Sequence, residues 1–160
     1  MLTAAHCDRL LPRGLKITQV RLGDWDTRTN PDCQEDVSGN EFCNHPYVEI
    51  PVEKVTVHED YNPHKTAQYH DIALLKLQRN VTFSDFIRPI CLPIDENVRN
   101  ETLTGQDVEV AGFGRTENRR SSDVKLKVEV TINSQENCEN FYKTVNVTIS
   151  SKQVMNLKCL

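Results

Sequence analysis

The chain has 160 residues, 38% of them hydrophobic and 26% charged, with a formal net charge of −4. That balance permits a buried core and argues against disorder. A mildly acidic chain gives no reason to expect a nucleic-acid partner, and no apolar run approaches the length that spans a membrane.

Met1 to Cys7 is small and apolar and closes on the polar pair His6-Cys7. Asp8 to Gly14 reads as loop, punctuated by Pro12 and Gly14. Ile17, Val20 and Leu22 predict a short strand that stops at Gly23. Asp24 to Pro46 is polar and holds Pro31, Gly39 and Pro46, so a long surface loop is expected. Loops of that length are usually functional or tethered, and a Cys33–Cys43 bond would be such a tether. Val48, Ile50 and Val52 alternate with Glu49, Pro51 and Glu53, and Val55 and Val57 continue the pattern. This is a half-buried strand in which Pro51 implies an edge or a bulge.

Asp71-Ile72-Ala73-Leu74-Leu75-Lys76-Leu77 is a nearly continuous apolar run and predicts a strand buried on both faces. Val108 to Gly112 predicts another strand. In the next, Val124, Leu126, Val128, Val130 and Ile132 point inward, with Lys125, Lys127, Glu129 and Thr131 outward. Ser134 to Lys143 predicts a short helix with Ser134 as N-cap, and Thr148 to Ser150 starts a further strand. Many short strands with little helix suggest an antiparallel barrel or sandwich, an all-β class. The polar stretch Pro93 to Thr104 reads as a connector between two subdomains.

Six cysteines are scattered, at positions 7, 33, 43, 91, 138 and 159, with no C-x-x-C pair among them. The spacing disfavours a zinc ribbon and suits disulfides, although six cysteines allow 15 connectivities. Three glycosylation sequons begin at Asn80, Asn100 and Asn146. Both features suggest an extracellular chain. The first seven residues have no basic start, apolar stretch or cleavage site, so they do not read as a signal peptide. The expectation is a chain that begins partway into a longer secreted protein.

Two segments carry the chemistry. Leu2-Thr3-Ala4-Ala5-His6-Cys7 and Asp71-Ile72-Ala73-Leu74-Leu75-Lys76-Leu77 both resemble signature segments of the chymotrypsin-like serine proteases. Ile87-Arg88-Pro89-Ile90-Cys91-Leu92-Pro93 resembles the link between that family's two barrels. Val110-Ala111-Gly112-Phe113-Gly114-Arg115-Thr116 resembles a strand of its second barrel, with Phe113 where Trp is usual. A lone His beside Cys is usually structural, and so is an Asp before an apolar strand. Four segments in the family's order are specific, and the resemblance covers about residues 1–153. The resemblance implies a double antiparallel β-barrel, here incomplete. Residues 1–92 would form most of the first barrel, 93–104 the linker, 105–153 the start of the second, and 154–160 a divergent tail.

The resemblance implies that His6 is the general acid/base and Asp71 the carboxylate that orients it. A serine hydroxyl is a weak nucleophile and needs a base, and imidazole titrates near operating pH. The carboxylate fixes the imidazole tautomer and stabilises the imidazolium that forms. His45, His58, His64 and His70 read as surface or structural. The family needs no cofactor, but its trypsin-like members carry a calcium loop at the place of Asp24, Asp26, Thr29 and Asp32, whose oxygens suit that ion.

The Cys33–Cys43 loop and Arg21-Leu22-Gly23-Asp24-Trp25-Asp26 narrow the resemblance to the clip-domain proteases of arthropods, which act in haemolymph cascades of immunity and development. Implied partners are protein substrates, upstream and downstream cascade proteases, and serpin inhibitors for a full-length parent. In those relatives the cysteine matching Cys91 bonds to a preceding light chain, and the partner of Cys7 lies upstream of the position of Met1. Neither partner occurs here. The family's partner for Cys138 is also missing, because Met155 holds its position. Cys159 could substitute, at the wrong spacing.

The chain carries no Gly-Asp-Ser-Gly-Gly nucleophile segment, and Ser84, Ser121, Ser122, Ser134, Ser150 and Ser151 lack the surrounding glycines. The oxyanion hole and the specificity pocket would be missing with it. Two functions therefore compete: a serine endopeptidase represented by a fragment that is inactive as given, or a non-catalytic protease-like cofactor or decoy. A retained His6 and Asp71 favour the first.

Overall fold

In the computed structural model, residues 1–65, 69–99, 101–114, 116 and 121–144 are described. Strands β1 (Leu2–Thr3), β2 (Gln19–Leu22), β5 (Val48–Val57) and β6 (Ala73–Leu77) form one antiparallel sheet in the order β1-β6-β5-β2. Between β2 and β5 lies the hairpin of β3 (Cys33–Glu35) and β4 (Glu41–Cys43). A second sheet pairs β7 (Asp107–Gly112) with β8 (Leu126–Thr131). Among the described residues there are three helices: α1 (His6–Arg9), α2 (Glu96–Arg99) and α3 (Gln135–Thr144). Among the described residues, no helix is long and apolar enough to cross a membrane.

One long strand organises the first sheet. The first part of β5 pairs with β2, from Leu22 opposite Val48 to Gln19 opposite Pro51. The remainder pairs with β6, from Val52 opposite Leu77 to Val57 opposite Ala73. The register shifts between Val52 and Lys54, so the strand bends where it changes partners. Pro51 was expected at an edge or a bulge. The strand has a neighbour on each side, and Pro51 sits next to the irregularity, where its missing N–H leaves no gap in the ladder.

The core lies on one face of this sheet. Val20, Ile50 and Leu75 are buried, with Ile17, Leu22, Val48, Val52, Val55, Leu77 and Val81 packed around them. The run from Asp71 to Leu77 was expected to be a strand buried on both faces. The strand starts at Ala73, and only one face is covered: Ala73 and Leu75 are buried while Leu74 is 54% exposed. Period-2 alternation governs here despite the apolar composition. The inward series expected from Val124 to Ile132 is likewise open, with Leu126 and Val128 exposed. Ser134 caps α3 by accepting the Asn137 N–H at 3.2 Å.

The expected long loop is tethered. Cys33 and Cys43 face each other across β3 and β4 and are bonded, with an S–S length of 2.07 Å. The loop also reaches the second sheet: Asp26 bridges to Val124, and the Lys125 N–H donates to the Trp25 carbonyl at 2.8 Å. Gly23 opens this loop at φ +80, and a Cβ there would lie 3.1 Å from Ile87. The positive φ favours glycine, and a Cβ would also press on the Ile87 side chain. The expected strand from Thr148, the sequons at Asn100 and Asn146, Cys159 and the 154–160 tail lie outside the described residues. Asn80 is exposed just after β6.

Candidate active site

The pairing of β1 with β6 builds the site. Leu2 lies opposite Leu74 and Thr3 opposite Ala73. The strands run antiparallel, so three residues beyond Thr3 and two before Ala73 the chains bring His6 and Asp71 face to face. His6 Nδ1 and Asp71 Oδ2 are 2.7 Å apart. The carboxylate accepts a second bond from the same residue: the His6 backbone N–H donates to Asp71 Oδ1 at 2.8 Å.

That second bond has a local cause. His6 is the first residue of α1, and Ala5 before it supplies no side-chain cap. The N–H groups of a first helical turn have no partner within the helix. Asp71 supplies one from across the sheet, so the carboxylate fixes both the backbone and the ring of His6. The sequence identified the residue pair but not this backbone contact.

An ionised carboxylate can only accept, so in the neutral ring Nδ1–H donates to Asp71 Oδ2 and Nε2 keeps its lone pair. The His6 side chain is 47% exposed and that of Asp71 17% exposed. The imidazole is thus open to solvent, and the carboxylate that holds it is largely covered. Ala5, the residue before His6, is fully buried.

Tyr61 also borders this region, and no feature of the sequence singled it out. It is buried, and its hydroxyl has no hydrogen-bond partner. Burial raises its phenol pKa, and Asp71 and Cys7 add to the effect. A lone tyrosine in the polar stretch from His58 to Lys65 carries no periodic signal that would have marked it.

The four residues expected to hold calcium fold together but are engaged with protein donors. Asp26 takes Arg28 on both carboxylate oxygens, at 2.8 and 2.6 Å. Asp32 accepts the N–H groups of Trp25 and Asp26 on one oxygen and the Thr29 hydroxyl on the other. Asp24 bonds Arg21 through Oδ2, while its Oδ1 is buried without a partner. A calcium ion on both Asp26 oxygens would compete with the Arg28 guanidinium that holds them.

The bonds from Arg28 hold the Asp26 carboxyl down to about 2. Burial pushes the Asp32 carboxyl up, but the Thr29 hydroxyl and the two N–H groups outweigh it and leave it below its ordinary value. A depressed carboxyl stabilises the fold at neutral pH, and that contribution fades as pH falls below the ordinary carboxylate range toward the folded value. Arg28→Ala is therefore expected to return the Asp26 carboxyl toward 3.8, read by carboxyl 13C NMR titration.

Of the remaining cysteines, Cys7 and Cys91 are exposed free thiols. Cys138 is buried and disulfide-bonded.

The chain is similar to known serine proteases. A family model described as Trypsin matches residues 1–156. Serine protease ea of Drosophila melanogaster is 42% identical over 156 residues, covering 96% of this chain and 40% of its own length. CLIP domain-containing serine protease HP8 of Bombyx mori is 46% identical over 156 residues, covering 96% of this chain and 41% of its own. The chain thus spans about two fifths of the length of these curated relatives. Among solved structures, the Drosophila Grass clip serine protease of the Toll pathway superposes with a TM-score of 0.75 at 35% identity, over 94% of this chain and 40% of that one.

Proposed function

Because the chain belongs to the trypsin family of serine proteases, we propose that it supplies the base and the orienting carboxylate of a serine endopeptidase, as His6 and Asp71. The observation that carries this reading is the double clasp of His6 by Asp71, on the ring at 2.7 Å and on the backbone at 2.8 Å.

In the reaction, His6 Nε2 takes the proton of a serine hydroxyl as that oxygen attacks the scissile carbonyl. It then gives the proton to the leaving amine. Asp71 stays ionised throughout, holding the Nδ1–H tautomer and stabilising the imidazolium. No cofactor enters these steps.

The 160 residues contain no Gly-Asp-Ser-Gly-Gly segment, so a polypeptide of these residues alone is read as inactive. Hydrolysis of an arginyl ester by it, abolished in His6→Ala, would overturn that reading. The positive test is a segment exchange. Residues 1–153 are put in place of the matching part of a catalytically active clip-domain relative. The folded chimera is expected to hydrolyse peptide esters, and a folded but inert one would contradict the assignment.

A decoy that binds without cleaving has no chemical need for the clasped histidine, so the pair favours the enzyme. We read the setting as extracellular, on the strength of the Cys33–Cys43 bond and the exposed sequon residue Asn80. The partners are read as protein substrates and neighbouring proteases of a cascade. The support is the resemblance to clip-domain proteases, one of which is named as part of the Toll pathway.

A further inference from the structure

Two imidazoles meet on the surface beside Asp71, and neither belongs to the His6–Asp71 pair. His58 leaves β5 and His70 immediately precedes Asp71. Their rings stack with centroids 4.6 Å apart and planes inclined by 23°. Asp60 completes the group: ligand atoms of His58, Asp60 and His70 all lie within 4.8 Å of one another, and all three residues are exposed.

The backbone explains why these residues gather. The His58 N–H donates to the Ile72 carbonyl at 3.1 Å, which continues the β5–β6 ladder past Val57 and Ala73. The segment leaving β5 therefore runs beside the one entering β6. A turn then brings Asp60 back, with the Tyr61 N–H on the His58 carbonyl at 3.1 Å and the Asp60 N–H on His58 Nδ1 at 3.2 Å. His70 stands at φ 59, in the left-handed region that few side chains enter. Its carbonyl accepts the Ile72 N–H at 2.7 Å. That tight turn lays the His70 ring on the His58 ring.

We propose that His58, Asp60 and His70 form a binding site for a divalent transition-metal ion of the zinc type, separate from the catalytic pair. Two imidazole nitrogens and one carboxylate oxygen are the donor set such ions take. Calcium and magnesium prefer oxygen alone and are disfavoured here. Three protein ligands leave the fourth tetrahedral position to water.

Ligand atoms around zinc stand about 3.3 Å apart, given bonds of about 2.0–2.1 Å. Reaching that spacing requires the two rings to rotate out of their parallel stack, and His58 Nδ1 to release its long bond from the Asp60 N–H if that nitrogen is the ligand. All three residues are exposed, and among the described residues the ring neighbours of His70 are His58 and Tyr69. Cys33, Glu41 and Cys43 make a second cluster of ligand types, but both sulfurs are held in the disulfide. The inference rests on this local geometry and not on the catalytic reading.

The test is a titration of the 160-residue polypeptide with Zn²⁺ alone, followed by histidine ring NMR and calorimetry. One equivalent is expected to bind, with the His58 and His70 ring signals shifting saturably and His45 unmoved. His58→Ala and His70→Ala are each expected to weaken binding about tenfold or more, the scale on which even supporting residues of metal sites act. Co²⁺ in place of Zn²⁺ gives a second reading: visible bands of a tetrahedral complex in the parent polypeptide and not in the double variant. No saturable uptake at millimolar Zn²⁺ would overturn the proposal. So would uptake that persists unchanged in the double variant, or uptake that moves only the His6 signals.

Discussion

In a protease that carries residues 1–153 of this chain ahead of its serine segment, His6→Ala is expected to lower kcat by about 10⁶-fold and Asp71→Asn by about 10⁴-fold. The first substitution removes the base outright. The second separates the two roles of Asp71. An asparagine oxygen still accepts the His6 backbone N–H, so the start of α1 stays fixed. Its amide nitrogen cannot accept the Nδ1 proton, and the ring is driven to the opposite tautomer with Nε2 protonated. KM is expected to change little in either variant, because the pair acts in the transition state rather than in substrate binding. Steady-state kinetics on a peptide ester give both parameters. If Asp71 served only to cap α1, Asp71→Asn would leave kcat unchanged.

The second large effect concerns stability. Ile50 is 1% exposed and lies opposite Val20 in the middle of the four-stranded sheet. Ile50→Ala removes buried methyl and methylene groups and leaves a cavity that the paired strands cannot close, at a cost of about 2–5 kcal/mol. Leu74→Ala removes a side chain of similar size from the open face of β6 and is expected to cost about 0.5 kcal/mol or less. Urea unfolding of the two variants compares the faces directly: the midpoint falls sharply for Ile50→Ala and barely for Leu74→Ala, at unchanged slope. Equal losses would mean that the outer face of β6 is packed as tightly as the inner one. The consequence reaches the site, because β5 holds β6 and β6 positions Asp71.

Much of this was legible in the residues. Period-2 alternation located β5 and β8, the stretch Val108 to Gly112 read as a strand falls within β7, and the Ser134 N-cap signal located α3 within one residue. The ordered segments around His6 and Asp71 pointed to one family and to one pair of side chains, which the structure brings together at 2.7 Å.

Other features depend on tertiary contacts that a local pattern cannot encode. The apolar run at Leu74 and Leu75 does not reveal which residue faces the core, since both faces read alike until the strand has neighbours. The clasp on the His6 N–H arises because the register of β1 on β6 places a carboxylate at a bare helix start. The acidic loop read as a cation site because four oxygen-bearing side chains fall close in sequence. Arg28, which neutralises Asp26, was equally visible there, but its pairing depends on the fold of the loop. His58 and His70 lie far apart in sequence, and only the β5–β6 ladder brings their rings into contact.

The most direct test of the central claim is the tautomer of His6, read by long-range 1H–15N NMR on the folded 160-residue polypeptide near neutral pH. The predicted spectrum shows a proton on Nδ1, hydrogen-bonded to Asp71, and a bare Nε2, with the pattern reversed in Asp71→Asn. A His6 ring that carries its proton on Nε2 while Asp71 is intact would contradict the assignment of this pair as base and orienting carboxylate.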